Sequence, residues 1–532
     1  MHKTTIAYAK TGYFSKIVCD YLEGGKALRP FYGRFPELEN FKKQLEEKQR
    51  SFSQRYRDIL VKSLKNQYGG TTIAAPTEKN IQSLLNKNTF TVTTGHQLNL
   101  FTGPLYFLYK IVSVINLSEQ LNARYPDNHF VPVYWMATED HDLDEINHFN
   151  FKNKKIVWER GAGGAVGALS TTGLRDVLTD VKKAFGESGQ GKKLTALFEN
   201  AYCGHGTLTA ATRYLGNALF KKYGLVIIDG NDADLKKAFI PYAEKELTEN
   251  IAFKNVTATT QSLTELGYPG QVHPREINLF YLRENLRERI VGADGKFYVN
   301  NTGTVFTKAE MITELNAHPE RFSPNALLRP LYQEAVLPNL CYVGGGGELA
   351  YWFQLKGYFN AVAMPFPILL LRNSVLLVTD KISAKLKKLN VPIELLFKKQ
   401  LDLETGFTHQ ISKIAIDFSE QRAHLKKQFG TLYELAKKTD ASFLGAVAAQ
   451  EKKQLNGLDR LEKRLLKAQK RKLADQLGRL KNLQDELFPG QGLQERNMNF
   501  SGFYLSLGDG LIPLLKNNLD PLGMGFTVLT VK

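Results

Sequence analysis

The chain has 532 residues, 43% of them hydrophobic and 23% charged, with a formal net charge of +17 at neutral pH. That length suits roughly two to four domains with real cores, and the hydrophobic content is ordinary for a soluble globular protein. No apolar run is long enough for a membrane span. The opening MHKTTIAYAKTGYFSK has no apolar stretch of the signal-peptide kind. Cys19, Cys203 and Cys341 are odd in number and far apart, so they give no disulfide framework and no zinc spacing, and a cytoplasmic location is expected. Cys341 lies in an apolar run and reads as a small core residue. The positive charge raises the question of nucleic acid. Much of it sits in 451–481, with eleven Lys/Arg against four acids. No RNA-recognition signature or zinc finger accompanies it, so it reads as a solvated helical face.

Residues 1–87 are expected to be mostly helical. Pro36 to Leu64 has periodic apolar positions, with proline suited to a first turn, and Pro76 to Asn86 suits a short capped helix. The stretch 88–148 then reads as strand, Gly-rich turn, helix and strand. Phe90 to Thr93 are β-prone, Thr94, Gly95 and Gly103-Pro104 break the strand, and Leu105 to Leu121 carries apolar residues at helical spacing. Val131 to Ala137 is a short apolar run of the kind buried on both faces of a sheet. In such a βαβ unit, ligands sit beyond the carboxyl ends of the strands. That places Thr94, Gly95, His96, Gln97 and Asn99, with Thr102 and Gly103, on the ligand edge as candidate anion-binding residues. A helix starting near Pro104 would add free N–H groups.

The second strand runs into Glu139, Asp140, His141, Asp142, Asp144, Glu145 and His148. From spacing alone this cluster is a metal site, with magnesium on Asp140 or Asp142, or an acid–base site with His141 moving a proton. It is also a plain polar helix start, the reading favoured for Asp142, Asp144 and Glu145. Asp140 and His141 are the candidate catalytic residues, and no metal ligand is assigned.

Phe149 to Trp158 reads as a strand pair. GAGGAVGALSTTG (161–173) reads as a flexible surface loop and is not a P-loop, since no Gly-Lys-Ser/Thr closes it. Leu225 to Asp229 is another buried strand, and Asp229 at its end is either a ribose- or amine-binding group or a cap for the next helix. Asp294-Gly295 signals a hairpin in a second inserted β region. Leu337 to Val343 is a further apolar strand, followed by the turn Gly344 to Gly347 and a helix. Gly345-Gly346-Gly347-Glu348-Leu349-Ala350 formally fits G-x-G-x-x-A. No acid follows about 20 residues on, which disfavours NAD. Gly345, Gly346 and Gly347 instead suit close approach to a phosphate or carboxylate. Arg329, Gln333 and Glu334 lie just upstream and are expected to line the same crevice, with Arg329 and Gln333 as candidate binding residues. Arg329 suits a carboxylate, through a planar two-point contact, or an ordinary ion pair. Beyond residue 380, Ile411, Phe418, Leu425 and Leu432 repeat every seven, and Leu458, Leu461 and Leu465 continue after a break near Lys438-Thr439-Asp440. This predicts an antiparallel helical hairpin.

TTGHQLNLFTGPLYFLYK with PVYWMATEDHDLDEINH, and SPNALLRPLYQEAVLPNLCYVGGGGELAYWFQL, resemble the bacillithiol-biosynthesis cysteine-adding enzymes (BshC). FSKIVCDYL and ERNMNFSGFYLSLGDGLIPLL are weaker matches, and the likeness covers nearly the whole chain. It implies an α/β fold: a Rossmann-like parallel-sheet core like nucleotidylyltransferases and class I synthetases, with connecting-peptide insertions and a long antiparallel α-helical coiled coil. The expected division is a core over 1–380 with inserts near 150–215 and 250–320, a dimerising coiled coil over 381–490, and a return to the core over 491–532. The resemblance also implies a ligase adding cysteine, through its carboxyl group, to the amine of glucosaminyl-malate in the last step of bacillithiol synthesis. ATP is the expected activator, with Mg2+ beside it, and the protein is expected to be a homodimer. In that scheme Thr94 to Gln97 with Thr102-Gly103 hold the anion, Asp140 and His141 position or deprotonate the amine, and Arg329 holds malate. The alternative is a tRNA- or RNA-binding protein on a synthetase-like core.

Overall fold

The computed structural model describes residues 2–71, 73–152, 154–161 and 163–531. It divides into two compact units, Met1–Leu376 with Gln494–Leu529, and Leu377–Leu493 with Thr530–Lys532.

The first unit is built on five parallel strands: β1 (Thr89–His96), β2 (His129–Met136), β3 (Val226–Asp229), β4 (Asn339–Gly344) and β5 (Ile368–Leu371). Their order is β5-β4-β1-β2-β3, the doubly wound order read from its far edge. β1 pairs with β2 over its full length, from Thr89 against His129 to His96 against Met136. On its other side β1 pairs with β4, Thr93 opposite Tyr342. Every residue of β1, β4 and β5 is buried, as both faces of a parallel sheet must be. Each buried Val, Leu, Ile or Phe contributes about 1.5–3 kcal/mol. Helix α1 (Tyr106–Arg124) crosses from β1 to β2, buried from Phe107 through Ser118. Helices α2 (Arg329–Val336) and α3 (Gly346–Gln354) lie before and after β4.

Between β2 and β3 the chain forms the short helix Leu143–Ile146, an antiparallel strand pair with Phe149 opposite Ile156, and the longer helices Leu174–Phe185, Gly189–Tyr202 and Leu208–Phe220. Between β3 and β4 it forms a five-stranded antiparallel sheet. The hairpin at Asp294-Gly295 is real: both residues have positive φ, 50° and 72°, as a tight two-residue hairpin turn requires. The C-terminal return pairs Phe526 with Ile6 and Leu529 with Lys3.

The second unit holds the helical hairpin of α4 (Ser419–Ala436) and α5 (Ala441–Lys472), followed by the helix Ala474–Leu487. Asp440 caps α5, accepting from the Ser442 and Phe443 N–H groups. The two helices run antiparallel, because Arg422 meets Glu462 while Tyr433 meets Glu451. Phe429, Ala436 and Val447 form the seam with Leu425 and Tyr433. The seven-residue spacing from Ile411 to Phe418 does not mark a continuous helix. One helix ends at Ile411 and α4 starts only at Ser419. Ser412 to Phe418 bridge them, so the paired seam begins later than the spacing predicts.

Candidate active site

Strand order reverses between β1 and β4, and a cavity of about 610 Å³ opens there beyond their carboxyl ends. This is where a doubly wound sheet places its ligand. A second cavity of about 320 Å³ adjoins it past the end of β2. Trp135, Ala137, Ala326 and Arg329 line both.

The larger chamber is built around buried charge. Arg329, at the start of α2, donates to Gln333 Oε1 at 3.0 Å, Tyr351 Oη at 3.2 Å and Tyr342 Oη at 3.5 Å. All three acceptors are neutral, and among the described residues no carboxylate pairs with it. Opposite, Lys110 projects from the apolar face of α1. Its ammonium bonds the Gly95 carbonyl and the Glu348 carboxylate, each at 2.6 Å. Tyr342 Oη and the Gly345 N–H also donate to Glu348, at 2.5 and 2.8 Å. Burial alone would raise the Glu348 pKa. The Lys110 charge and these hydrogen bonds outweigh it and hold the pKa at about 2. Burial pushes Lys110 the other way, below the ordinary lysine range. Arg372 is the third cation of this wall. It bonds Glu495 at 2.8 Å and lies over the Tyr106 ring.

The smaller chamber carries the acidic turn. Asp140 accepts from Gln97 Nε2 at 2.9 Å and from the His141 N–H at 2.8 Å. Gln97 also donates to Glu145 at 2.8 Å, so one amide ties the ends of β1 and β2 together. His141 Nδ1 lies 2.7 Å from Arg287 Nη1. A guanidinium can only donate, so Nδ1 accepts and Nε2 carries the proton. In this arrangement His141 presents a donor to the chamber and Asp140 presents the acceptor. Glu139 forms an ion pair with the buried Lys236.

The structure separates the sequence candidates. Gly95, His96, Gln97, Arg329, Gly345 and Gly347 line the larger chamber, and Asp140 and His141 the smaller one. His96 lines the wall as a neutral ring, because burial and the Lys110 charge push its pKa down to about 3. Thr94 turns its hydroxyl inward to the Val343 carbonyl at 2.7 Å. Gly346 packs toward Phe14. Asn99, Thr102 and Gly103 form no cradle. Backbone donors of this stretch are occupied: the Phe101 N–H by Tyr202 Oη at 2.7 Å, the Gly103 N–H by the Leu100 carbonyl, and the Leu105 N–H at the helix start by the Met498 carbonyl, while Asn499 clamps the Phe101 and Gly103 carbonyls at 2.8 and 2.6 Å. Gln333 is fully buried behind Arg329, and Glu334 is fully buried against Lys48. The Gly-rich stretch 161–173 is no free surface loop. Its Ala162 lies outside the described residues, but the Val166 and Gly167 N–H groups dock on the Asp140 and Thr138 carbonyls. A Cβ at Gly167 would sit 2.7 Å from that of Thr138. Asp142 caps the short helix Leu143–Ile146, and Asp232, rather than Asp229, caps the helix after β3.

Lys110, Tyr342, Glu348, Tyr351, Arg372 and Arg287 were not singled out from sequence. Lys110 did leave a signal: a lysine inside LYFLYKIVSVINL sits on a buried face and needs a partner.

Two family descriptions match end to end: "Bacillithiol biosynthesis BshC, N-terminal Rossmann-like domain" over residues 1–373, and "Bacillithiol biosynthesis BshC, C-terminal coiled-coil domain" over 375–531. The chain belongs to the BshC family. A family member from Flavobacterium johnsoniae, named "Putative cysteine ligase BshC", is 55% identical over 99% of both chains. One of the same name from Bacillus cereus strain B4264 is 29% identical over 92% of this chain and 93% of its own. A solved structure titled as an arginyl-tRNA synthetase from Campylobacter jejuni overlaps 88% of this chain and 98% of its own at 10% identity. Its TM-score of 0.21 is too low to show a shared fold. BshC membership does not favour the RNA-binding alternative. Among the described residues no helix is long and apolar enough to cross a membrane.

Proposed function

We propose that the protein is a cytoplasmic carbon–nitrogen ligase that joins the carboxyl group of L-cysteine to the amine of glucosaminyl-malate, the last step of bacillithiol synthesis. The observation that carries this reading is Arg329: a guanidinium at the strand-order switch point whose hydrogen bonds all go to neutral groups. Such a group calls for an anion, and its planar fork matches a carboxylate. The names of the relatives support the ligase class.

Amide formation from a free carboxylate needs activation, which ATP would supply when bound. The larger chamber suits an anionic ligand of that kind: besides Arg329 it is lined by Arg496, and by Lys110 and Arg372, which are paired with Glu348 and Glu495, and its volume lies within the usual range for small-molecule sites. Among the described residues no group of three or more His, Cys, Asp and Glu could hold a metal. Mg2+ would therefore arrive with the phosphates and take one or two carboxylates. Arg329 holds the malate carboxylate. Asp140 accepts a proton of the attacking amine, and His141 donates from Nε2 to the carbonyl oxygen.

Purified protein with cysteine, glucosaminyl-malate and ATP-Mg2+, each omitted in turn, tests this by mass spectrometry. Product that requires all of them is the expected result, with AMP or ADP showing which bond of ATP is used. Product without ATP would overturn the activation step, and no product under any combination would overturn the ligase reading. His141→Asn keeps an acceptor for Arg287 while removing the Nε2 donor. It should cut turnover about 100-fold or more, and unchanged turnover removes His141 from the chemistry.

The second unit is proposed to pair with a second copy. Leu432, Leu435, Phe443, Leu444 and Leu461 of the helical hairpin are exposed, and a narrow apolar seam of this kind suits a further helix. Sedimentation of the full chain as a monomer at micromolar concentration would count against the dimer.

A further inference from the structure

Behind the cleft lies a charge pair the proposed chemistry does not use. Lys48, on the helix Leu38–Ser51, and Glu334 of α2 are sealed from solvent, 1% and 0% exposed, with 3.1 Å between ammonium and carboxylate. Such a pair contributes little net stability, because desolvating two ions offsets their attraction. The direction of its hydrogen bonds suggests another role. Glu334 Oε2 takes Lys48. Oε1 accepts from Asn339 Nδ2 at 2.6 Å and from Gln333 Nε2 at 3.2 Å. Asn339 is fixed from its other side, its Oδ1 accepting from the Thr93 and Thr91 hydroxyls of β1 at 2.8 and 3.2 Å. Gln333, Glu334 and Asn339 are all fully buried.

Burial raises the Glu334 pKa and the Lys48 charge opposes that, but both of its oxygens face donors, Lys48 on Oε2 and Asn339 on Oε1, so the carboxyl acts as an acceptor on each side. Gln333 must therefore turn its NH2 toward Glu334, which leaves its Oε1 facing Arg329 Nη1 at 3.0 Å. With the amide reversed, NH2 would face a guanidinium, donor against donor. We infer that Glu334, held by Lys48 and Asn339, is a positioning residue that fixes the Gln333 amide and through it aims the Arg329 guanidinium at a substrate carboxylate. This rests on the reading of Arg329 as the carboxylate-binding group. It also gives the buried pair a reason to persist, since orientation rather than stability is the return.

The test is calorimetric titration of the full-length protein with L-malate and, separately, with L-cysteine, alongside thermal unfolding. Gln333→Leu removes the link at similar size. Glu334→Gln supplies an amide that can donate, and so permits the reversed Gln333. Each is expected to weaken malate binding about ten-fold, the scale of one hydrogen bond to a charged group, while cysteine binding stays as in wild type. Should Glu334→Gln fail to fold, Gln333→Leu decides alone. Arg329→Ala separates the two readings. If it abolishes malate binding while Gln333→Leu binds malate like wild type, the positioning role is overturned and the Arg329 reading stands. If Arg329→Ala leaves malate binding unchanged, both are overturned. Equal weakening of malate and cysteine in Gln333→Leu would show a merely structural role and overturn the positioning.

Discussion

Replacing Arg329 with alanine is expected to lower kcat/KM for glucosaminyl-malate by about 100- to 1,000-fold, because truncating one side of a desolvated charge pair costs about 2–5 kcal/mol. Two features make the effect specific. Arg329 has no carboxylate partner of its own among the described residues, so its removal strands no buried anion. Two of its acceptors, the hydroxyls of Tyr342 and Tyr351, are left at the wall of a cavity that water can fill, and the third, Gln333 Oε1, lies directly behind the space that Arg329 vacates. The melting temperature should therefore move little. Arg329→Lys keeps the charge but loses the planar two-point contact, and an intermediate loss is expected. Steady-state kinetics with each substrate varied in turn provide the measurement. A loss confined to glucosaminyl-malate supports malate at Arg329, and an unchanged KM and kcat for that substrate would remove Arg329 from the site.

Arg329 could be found from sequence because it stands just before a strand that ends in Gly344 to Gly347, and a parallel strand end is a ligand edge. β1 and β2 were legible for the same reason that they are buried: short apolar β-prone runs bounded by breakers. What surrounds Arg329 was not legible. The apolar periodicity of α1 predicts which face is buried but treats Lys110 as an interruption. Its partner Glu348 stands on another helix, where it reads as an ordinary first-turn acid. The loop from Asn99 to Gly103 has the composition of an anion cradle, yet its N–H donors are taken, that of Phe101 by Tyr202 Oη and that of Gly103 by the Leu100 carbonyl, while Asn499, 396 residues downstream of Gly103, holds its carbonyls. Local composition shows that such backbone groups need partners, and only the fold shows which partners they have. The same limit applied to the coiled coil. Seven-residue spacing links Ile411 to Phe418, but spacing carries no sign of the non-helical link between the two helices.

Lys110→Met should be strongly destabilising, lowering the unfolding free energy by about 2–3 kcal/mol, less than for a fully buried pair because Glu348 is 25% exposed, since it leaves Glu348 charged and short of its strongest partner. The double variant Lys110→Met/Glu348→Gln should recover most of that loss, because replacing both members of an ion pair leaves neither charge stranded. The pH dependence gives an independent check. The Glu348 pKa falls from an ordinary 4.5 to about 2 on folding. A depressed carboxylate stabilises the folded state above its unfolded pKa, and that contribution is lost as pH falls from about 4.5 through about 2. The shift corresponds to about 3 kcal/mol. The stability difference between wild type and Glu348→Gln should accordingly be greatest near neutrality and shrink across that window. In the Lys110→Met background the window should narrow, since Lys110 is the largest influence lowering the pKa. Urea unfolding of the four proteins from pH 7 down to pH 2.5 measures all of this. A Lys110→Met loss that Glu348→Gln does not relieve would mean that Lys110 acts through its bond to the Gly95 carbonyl and its packing on α1, rather than through the ion pair.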